Sequence, residues 1–215
     1  MRPSALLDLI FPPACGGCGS PGSAWCRRCA SSLRRAPVNH LGAVPLIAAG
    51  QLEGPFQQAI HTFKYRPRPV LAGWLARPLA QAIQGAGLDL EALSFVPLHP
   101  ARERQRGFNQ AERLARELGA TLRLPLVQGL TRIRPTPAQV GLTRRERDLN
   151  VSGAFRWIGT EPAPAGVGLV DDVCTTGATL LAAAQAIRAA GGSVAGFLVL
   201  AVPHTLPAPV VTLPE

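Results

Sequence analysis

Asp171 and Asp172 stand side by side between an apolar run and a threonine-rich turn, in the segment Gly166 to Leu180, GVGLVDDVCTTGATL. Val167, Leu169 and Val170 read as a buried strand, too short for a helix and opened by a glycine. Thr175, Thr176, Gly177, Ala178 and Thr179 follow where a helix should open, and Leu180, Ala183, Ala184 and Ile187 supply its buried stripe. Such a turn aims unpaired backbone N–H groups and hydroxyls at one point, where the helix dipole also favours negative charge. It is a candidate phosphate seat. The two carboxylates, one step earlier, would repel a phosphate but accept hydrogen bonds from sugar hydroxyls. Together these groups describe a ribose 5-phosphate ligand. The alternative is an ordinary strand–turn–helix in which both aspartates merely cap.

The pattern resembles the phosphoribosyl pyrophosphate motif of type I phosphoribosyltransferases: strand, two acids, two variable positions, then a Thr/Gly turn. Val173 and Cys174 fill the variable positions. Glycine turns alone are common; the acidic pair with three threonines is what makes this one specific. Cys174 sits at the mouth of the turn. A helix N-terminus can lower a thiol pKa there, or the residue is simply a tolerated small side chain.

A second constellation lies at the front of the chain. Cys15, Cys18, Cys26 and Cys29 form C-x2-C-x7-C-x2-C, with Gly16, Gly17 and Gly19 freeing the backbone of the first knuckle. Two CxxC turns complete a tetrahedral all-sulfur site suited to structural zinc. Disulfides, disfavoured without a secretory signal, and an iron–sulfur cluster are the competing readings. Arg27, Arg28, Arg34 and Arg35 are the cations near this module.

The elements that must position these groups fit one domain plus a small module within 215 residues, 47% of them hydrophobic. The longest apolar stretch, Val194 to Val202, falls short of the roughly 20 residues of a membrane span. MRPSALLDLIFPP carries Asp8 and lacks a small-residue cleavage site, so no signal peptide is expected. Lys+Arg 22 against Asp+Glu 13 gives a net charge of +9. Arginine forks suit phosphates, although a genome rich in G and C enriches arginine without functional meaning. Placement matters more than the sum. Arg102, Arg104 and Arg106 form one cluster, and Arg132, Arg134, Arg144, Arg145 and Arg147 another. Both favour a polyanionic partner over a merely solvated face.

Leu41 to Tyr65 reads as a strand or hairpin followed by a helix, with Pro55 in its first turn and Phe56, Ala59, Ile60 and Phe63 as its apolar face. Val70 to Gln84 is helical in pattern, kinked or divided at Pro78. Leu93 to Leu98 reads as a buried strand, followed by a loop crowded with Arg102, Arg104 and Arg106. A helix then opens at an Asn109/Glu112 capping box. His99 is a ligand, a base or, more in keeping with a lone histidine, a structural hydrogen-bonding group. Leu122–Leu130 is a candidate strand. Arg132 to Phe155 reads as a long basic loop, either a mobile lid over a charged site or a solvated insertion. Ser193 to Val202 is the last strand, after Gly191-Gly192 end a helix.

Taken in order, the cysteine knuckle, Phe63-Lys64-Tyr65-Arg66, VPLHPARERQRGFNQAERLA, RPTPAQVGLTRRERDLNVSGAF and LVDDVCTTGATL resemble the ComF-type competence proteins. Pro67 departs from the glycine that commonly follows Lys-Tyr-Arg there. The resemblance implies a cytoplasmic protein that handles internalised single-stranded DNA during natural transformation, with other DNA-uptake proteins as partners. It also implies an α/β type I phosphoribosyltransferase fold, a mostly parallel sheet flanked by helices, at 37–215, behind a zinc-finger module at 1–36. Asp171 and Asp172 match the ribose-hydroxyl contacts, Thr175 to Thr179 the 5-phosphate loop, and the Arg102–Arg106 segment the pyrophosphate side. DNA contact is expected at Arg144, Arg145 and Arg147.

Two functions stay open. A transferase would use Mg²⁺ with phosphoribosyl pyrophosphate and a nitrogen acceptor, for which no recognition motif is evident. A non-catalytic factor would use the same phosphate seat and arginines for DNA, with Trp25, Trp74 and Trp157 available for stacking. For the knuckle, elemental analysis of the purified protein should find about one zinc per chain, lost with N-terminal structure on chelation. Iron, or no metal after gentle purification, would refute the assignment.

Overall fold

The apolar runs become a five-stranded sheet in the computed structural model, which describes residues 13–66, 68, 70–134, 151–159 and 162–205. Arg144, Arg145 and Arg147, and most of the expected Arg132–Phe155 loop, lie outside the described residues. In chain order the elements are α1 (Arg27–Ser31), β1 (Asn39–Leu41), β2 (Val44–Gln51), α2 (Gly54–Tyr65), α3 (Leu71–Ala86) and β3 (Ala92–Phe95). Next come α4 (Pro100–Arg106), α5 (Gln110–Leu122), β4 (Leu130–Arg132) and β5 (Phe155–Trp157). β6 (Val167–Val173), α6 (Ala178–Ala189) and β7 (Val194–Val202) complete the order.

The sheet runs β1-β2-β7-β6-β3, and only the β1–β2 pairing is antiparallel. Its central strands β2, β7 and β6 are near-continuous apolar runs because both faces are covered, broken only at their carboxyl ends by Gln51 in β2 and by Asp171 and Asp172 in β6. Ile47, Ala49, Val170, Leu198 and Leu200 face a core shared with α2, α3 and α5. Leu46, Ala48, Leu169, Phe197 and Val199 face a second core built with α6 and the β4–β5 pair. This is the mixed α/β class with a mostly parallel sheet flanked by helices that the sequence suggests. Cys15, Ala24, Trp25 and Cys29 belong to the first core, packed with Phe56 and Leu71.

Several boundaries differ from the sequence reading. The expected strand over Leu122–Leu130 is replaced by the end of α5, an αL residue at Arg123 and a single parallel bridge from Leu126 to Leu93. Only Leu130–Arg132 is a strand, and it pairs with Phe155–Trp157. The arginine loop after β3 is instead the helix α4. Pro100 supplies its preset φ at N1, and His99 Nδ1 accepts from the Ala101 N–H at 3.3 Å, a capping role. Asn109 caps α5 by accepting from the Ala111 and Glu112 N–H groups, while Glu112 pairs with Arg116 at 2.7 Å.

Pro78 does not divide α3, which runs unbroken from Leu71 to Ala86. Its buried stripe of Leu71, Leu75, Leu79 and Ile83 outweighs the one hydrogen bond that proline removes from the Trp74 carbonyl. Pro78→Ala restores that donor and should raise the unfolding free energy by about 1–2 kcal/mol after the loss of proline's unfolded-state constraint. Urea denaturation tests this; an unchanged or lower midpoint contradicts it.

Candidate functional site

β6 delivers the acidic pair. Val167 to Val170 are held between β7 and β3, and the strand continues through Asp171, Asp172 and Val173 while still paired with β7. The carboxylates therefore stand in the strand's carboxyl end, where open α/β sheets place ligands. Successive strand residues point to opposite faces. Each aspartate has a cation from the elements on its own face. Lys64, in the last turn of α2, places Nζ 2.8 Å from Asp172 Oδ1. Arg132, on β4, is buried, acts electrostatically on Asp171 and stacks its guanidinium 5.2 Å over Phe155.

Burial raises the Asp171 pKa to about 7, reinforced by the Asp172 charge and opposed by the Asp172 N–H, Lys64 and Arg132. That N–H donates to Asp171 Oδ1 at 2.7 Å. Burial disfavours the Lys64 charge, but Asp172 and then Asp171 more than compensate and raise its pKa. Burial and the nearby Arg102 lower the Arg132 pKa, with Asp171 opposing.

After β6 the chain bends away. Gly177 has φ +83°, and a Cβ there would lie 2.7 Å from Leu41 Cδ2, so both conformation and packing require glycine. α6 opens at Ala178, whose N–H donates to Thr176 Oγ1 at 3.4 Å. Thr176 is buried and its hydroxyl serves this turn; Thr175 and Thr179 are half-buried. The Thr175 and Thr176 amides donate to no backbone carbonyl among the described residues. They and the first turn of α6 form a cluster of donors beside the carboxylates.

The three arginines of α4 separate. Arg102 lies near Arg132, Arg104 is exposed, and Arg106 donates to Gln110 Oε1 at 2.6 Å with its guanidinium 5.0 Å over Tyr65. Cys174 is not at the mouth of the turn. It is 2% exposed in the second core, and burial, with Asp171, pushes its thiol up to about 12. Lys64 and Arg132 are partners of the pair that the sequence reading did not assign. Lys64 carried a signal: it falls four residues after Ile60, on the helix face that is otherwise buried.

At the other end of the chain the four knuckle sulfurs lie within 4.8 Å of one another, with Cys18 and Cys26 Sγ 3.7 Å apart. Sulfurs at about 2.3 Å from a tetrahedral zinc stand roughly 3.8 Å apart, so the cage could hold such a metal. Gly17 is needed here because a Cβ would lie 2.8 Å from Trp25 and the Pro55 carbonyl.

The raised Asp171 pKa has a stability consequence. The folded state holds this proton where the unfolded chain has lost it, so its stabilising contribution is complete below about pH 4 and disappears by about pH 7–8. Asp171→Asn keeps the oxygen that accepts from Asp172 but removes the titration. Urea midpoints should fall less between about pH 4 and 8 in the variant than in the parent. Parallel pH profiles would contradict this.

No family model matches the chain. It is 32% identical over 187 residues to "Competence protein F" of Haemophilus influenzae, covering 83% of this chain and 80% of that one. Two solved structures, each described as an analysis of an invariant aspartic acid in HPRTs, are also similar. The glutamic acid mutant has TM-score 0.34 and 15% identity, covering 68% of this chain and 72% of that one. The glutamine mutant has TM-score 0.33 and 16% identity, covering 63% and 77%. With this identity across this much of both chains, the protein belongs to the competence protein F family.

Proposed function

We propose that the protein is a DNA-uptake factor whose phosphoribosyltransferase-like domain, 37–215, binds phosphoribosyl pyrophosphate and whose 1–36 module is a structural zinc finger. The observation that carries the sugar-phosphate reading is the junction at the end of β6. Two carboxylates, each answered by a cation from its own face, run directly into the donor-rich bend at Gly177. Ribose hydroxyls would donate to Asp171 and Asp172. The 5-phosphate would accept from the Thr175–Thr179 turn, and Arg102 with Arg132 would neutralise the pyrophosphate side. Arg104 and Arg106 complete that basic side only in the family pattern, since Arg106 is engaged with Gln110 and Tyr65. Mg²⁺ bound with the ligand would offset the charge of the pyrophosphate, on the side where Arg102 and Arg132 lie.

The relative is a competence protein, and handling of single-stranded DNA in natural transformation, in the cytoplasm and with other uptake proteins, is the role proposed with it. The net charge of +9 and Arg144, Arg145 and Arg147 support a polyanionic partner. A second reading, an active glycosyltransferase, is favoured by the Asp171 pKa near neutrality, which suits proton transfer. A nitrogen acceptor, amidophosphoribosyl- or nucleobase-type, would form its bond to the anomeric carbon as the bond to pyrophosphate breaks. Asp171 and Asp172 would steady the positive ring in between.

Calorimetry with phosphoribosyl pyrophosphate and Mg²⁺ tests the site. Asp171→Ala with Asp172→Ala should weaken binding at least about a hundredfold while circular dichroism stays unchanged. Parental affinity in that folded double variant would remove the assignment. Pyrophosphate release across nucleobases and amines then separates the two readings.

A further inference from the structure

A cavity of about 690 Å³ lies away from the acidic pair, between α3, the linker 33–38 and β2, with the cysteine knuckle at one end. Its floor exists because β1 pairs β2 only from Val44 to Leu46. Beyond that point the buried stretch Ile47 to Ala49 lines the bottom of the cavity, and the linker rejoins the strand where the Gln51 N–H donates to the Arg34 carbonyl. The volume falls within the roughly 300–1,000 Å³ of ordinary ligand sites.

Trp74 on α3 is half-buried in the wall, with the Arg77 guanidinium 4.4 Å over its ring. Arg27 from α1 and Arg35 from the linker join Arg77 at the lining, and all three are exposed. The lining contains no carboxylate, and none of these arginines is in an ion pair among the described residues. The complement of this surface is flat, apolar and repeatedly anionic. Bases would lie against the indole and the half-buried apolar wall of Leu33, Ala36 and Ala82, and phosphates would meet guanidiniums supplied by three separate elements. Cations spread over three elements suit a chain of phosphates better than a single one.

We propose that this groove binds single-stranded DNA, with Trp74 as the stacking platform and Arg27, Arg35 and Arg77 as phosphate contacts. It deepens the DNA-handling reading, on which its biological sense rests, and is independent of the sugar-phosphate site. It also gives a role to Arg27, Arg35 and Trp74, which the acidic site does not use.

The test uses the full-length, zinc-loaded protein, a labelled oligothymidine of about 20 nucleotides and anisotropy across a salt series. Arg27→Gln/Arg35→Gln/Arg77→Gln should lose at least about tenfold in affinity and flatten the salt slope by about 2. Trp74→Ala should weaken binding about five- to a hundredfold, with Trp74→Phe retaining most of it. Binding of phosphoribosyl pyrophosphate should be unchanged in all of them. Parental affinity and slope in the arginine variant overturn the proposal; if Arg144→Glu/Arg145→Glu carries the loss instead, DNA handling survives without this groove. No binding by the parent protein overturns both. Equal affinity for thymidine monophosphate and the oligomer shows a mononucleotide pocket and overturns the strand assignment.

Discussion

Two adjacent carboxylates at the end of a strand buried on both faces cannot both ionise without cations, and the 2.8 Å pair between Asp172 and Lys64 meets the larger part of that demand. The fold is arranged to bring it about. β2 leads into α2, α2 packs Phe56, Ile60 and Phe63 into the first core, and its last turn then carries Lys64 over the end of β6. On the other face the β4–β5 pair brings Arg132 toward Asp171. The two aspartates thus differ in their surroundings. Asp172 is held by a short ion pair, whereas Asp171 shares its environment between protonated and charged forms near neutrality. A sugar that donates to both must share Asp172 with Lys64, so the lysine tunes affinity and stability together.

The bend that follows depends on packing as much as on hydrogen bonds. Gly177 lies against Leu41 of the antiparallel edge strand, so the short β1 hairpin sets how closely the turn meets the sheet. Cys174, Leu180 and Val199 fill the space beneath. The knuckle is likewise tied to the main core: Thr62 Oγ1 donates to the Gly16 carbonyl at 3.0 Å, and Trp25 packs 6.0 Å from Phe56. A change in the knuckle would therefore reach α2, the helix that carries Lys64.

The local features were legible in the sequence. The apolar run of β6, the acidic doublet, the glycine bend, the α6 stripe, the Asn109 cap and the paired CxxC turns each follow from residue type at short spacing. What escaped were consequences of tertiary contact. Lys64 and Arg132 meet the aspartates across long separations in the chain, and no short-range rule reports them. The basic segment after β3 looked like a loop because its charges hid a proline-initiated helix capped by His99. Cys174, a tolerated small side chain in the sequence, is 2% exposed in the second core, and that burial is likewise set by tertiary packing. The groove beside Trp74 is also tertiary, since its arginines come from α1, the linker and α3.

The central claim is that the end of β6 and the Gly177 bend cup a phosphorylated pentose. Diffraction from crystals grown with phosphoribosyl pyrophosphate and Mg²⁺ tests it most directly. The account predicts ribose hydroxyls within hydrogen-bonding distance of Asp171 and Asp172, and the 5-phosphate on the amides of Thr175 to Thr179. Well-ordered density for the ligand at another place, or none at this one under saturating ligand, would contradict it.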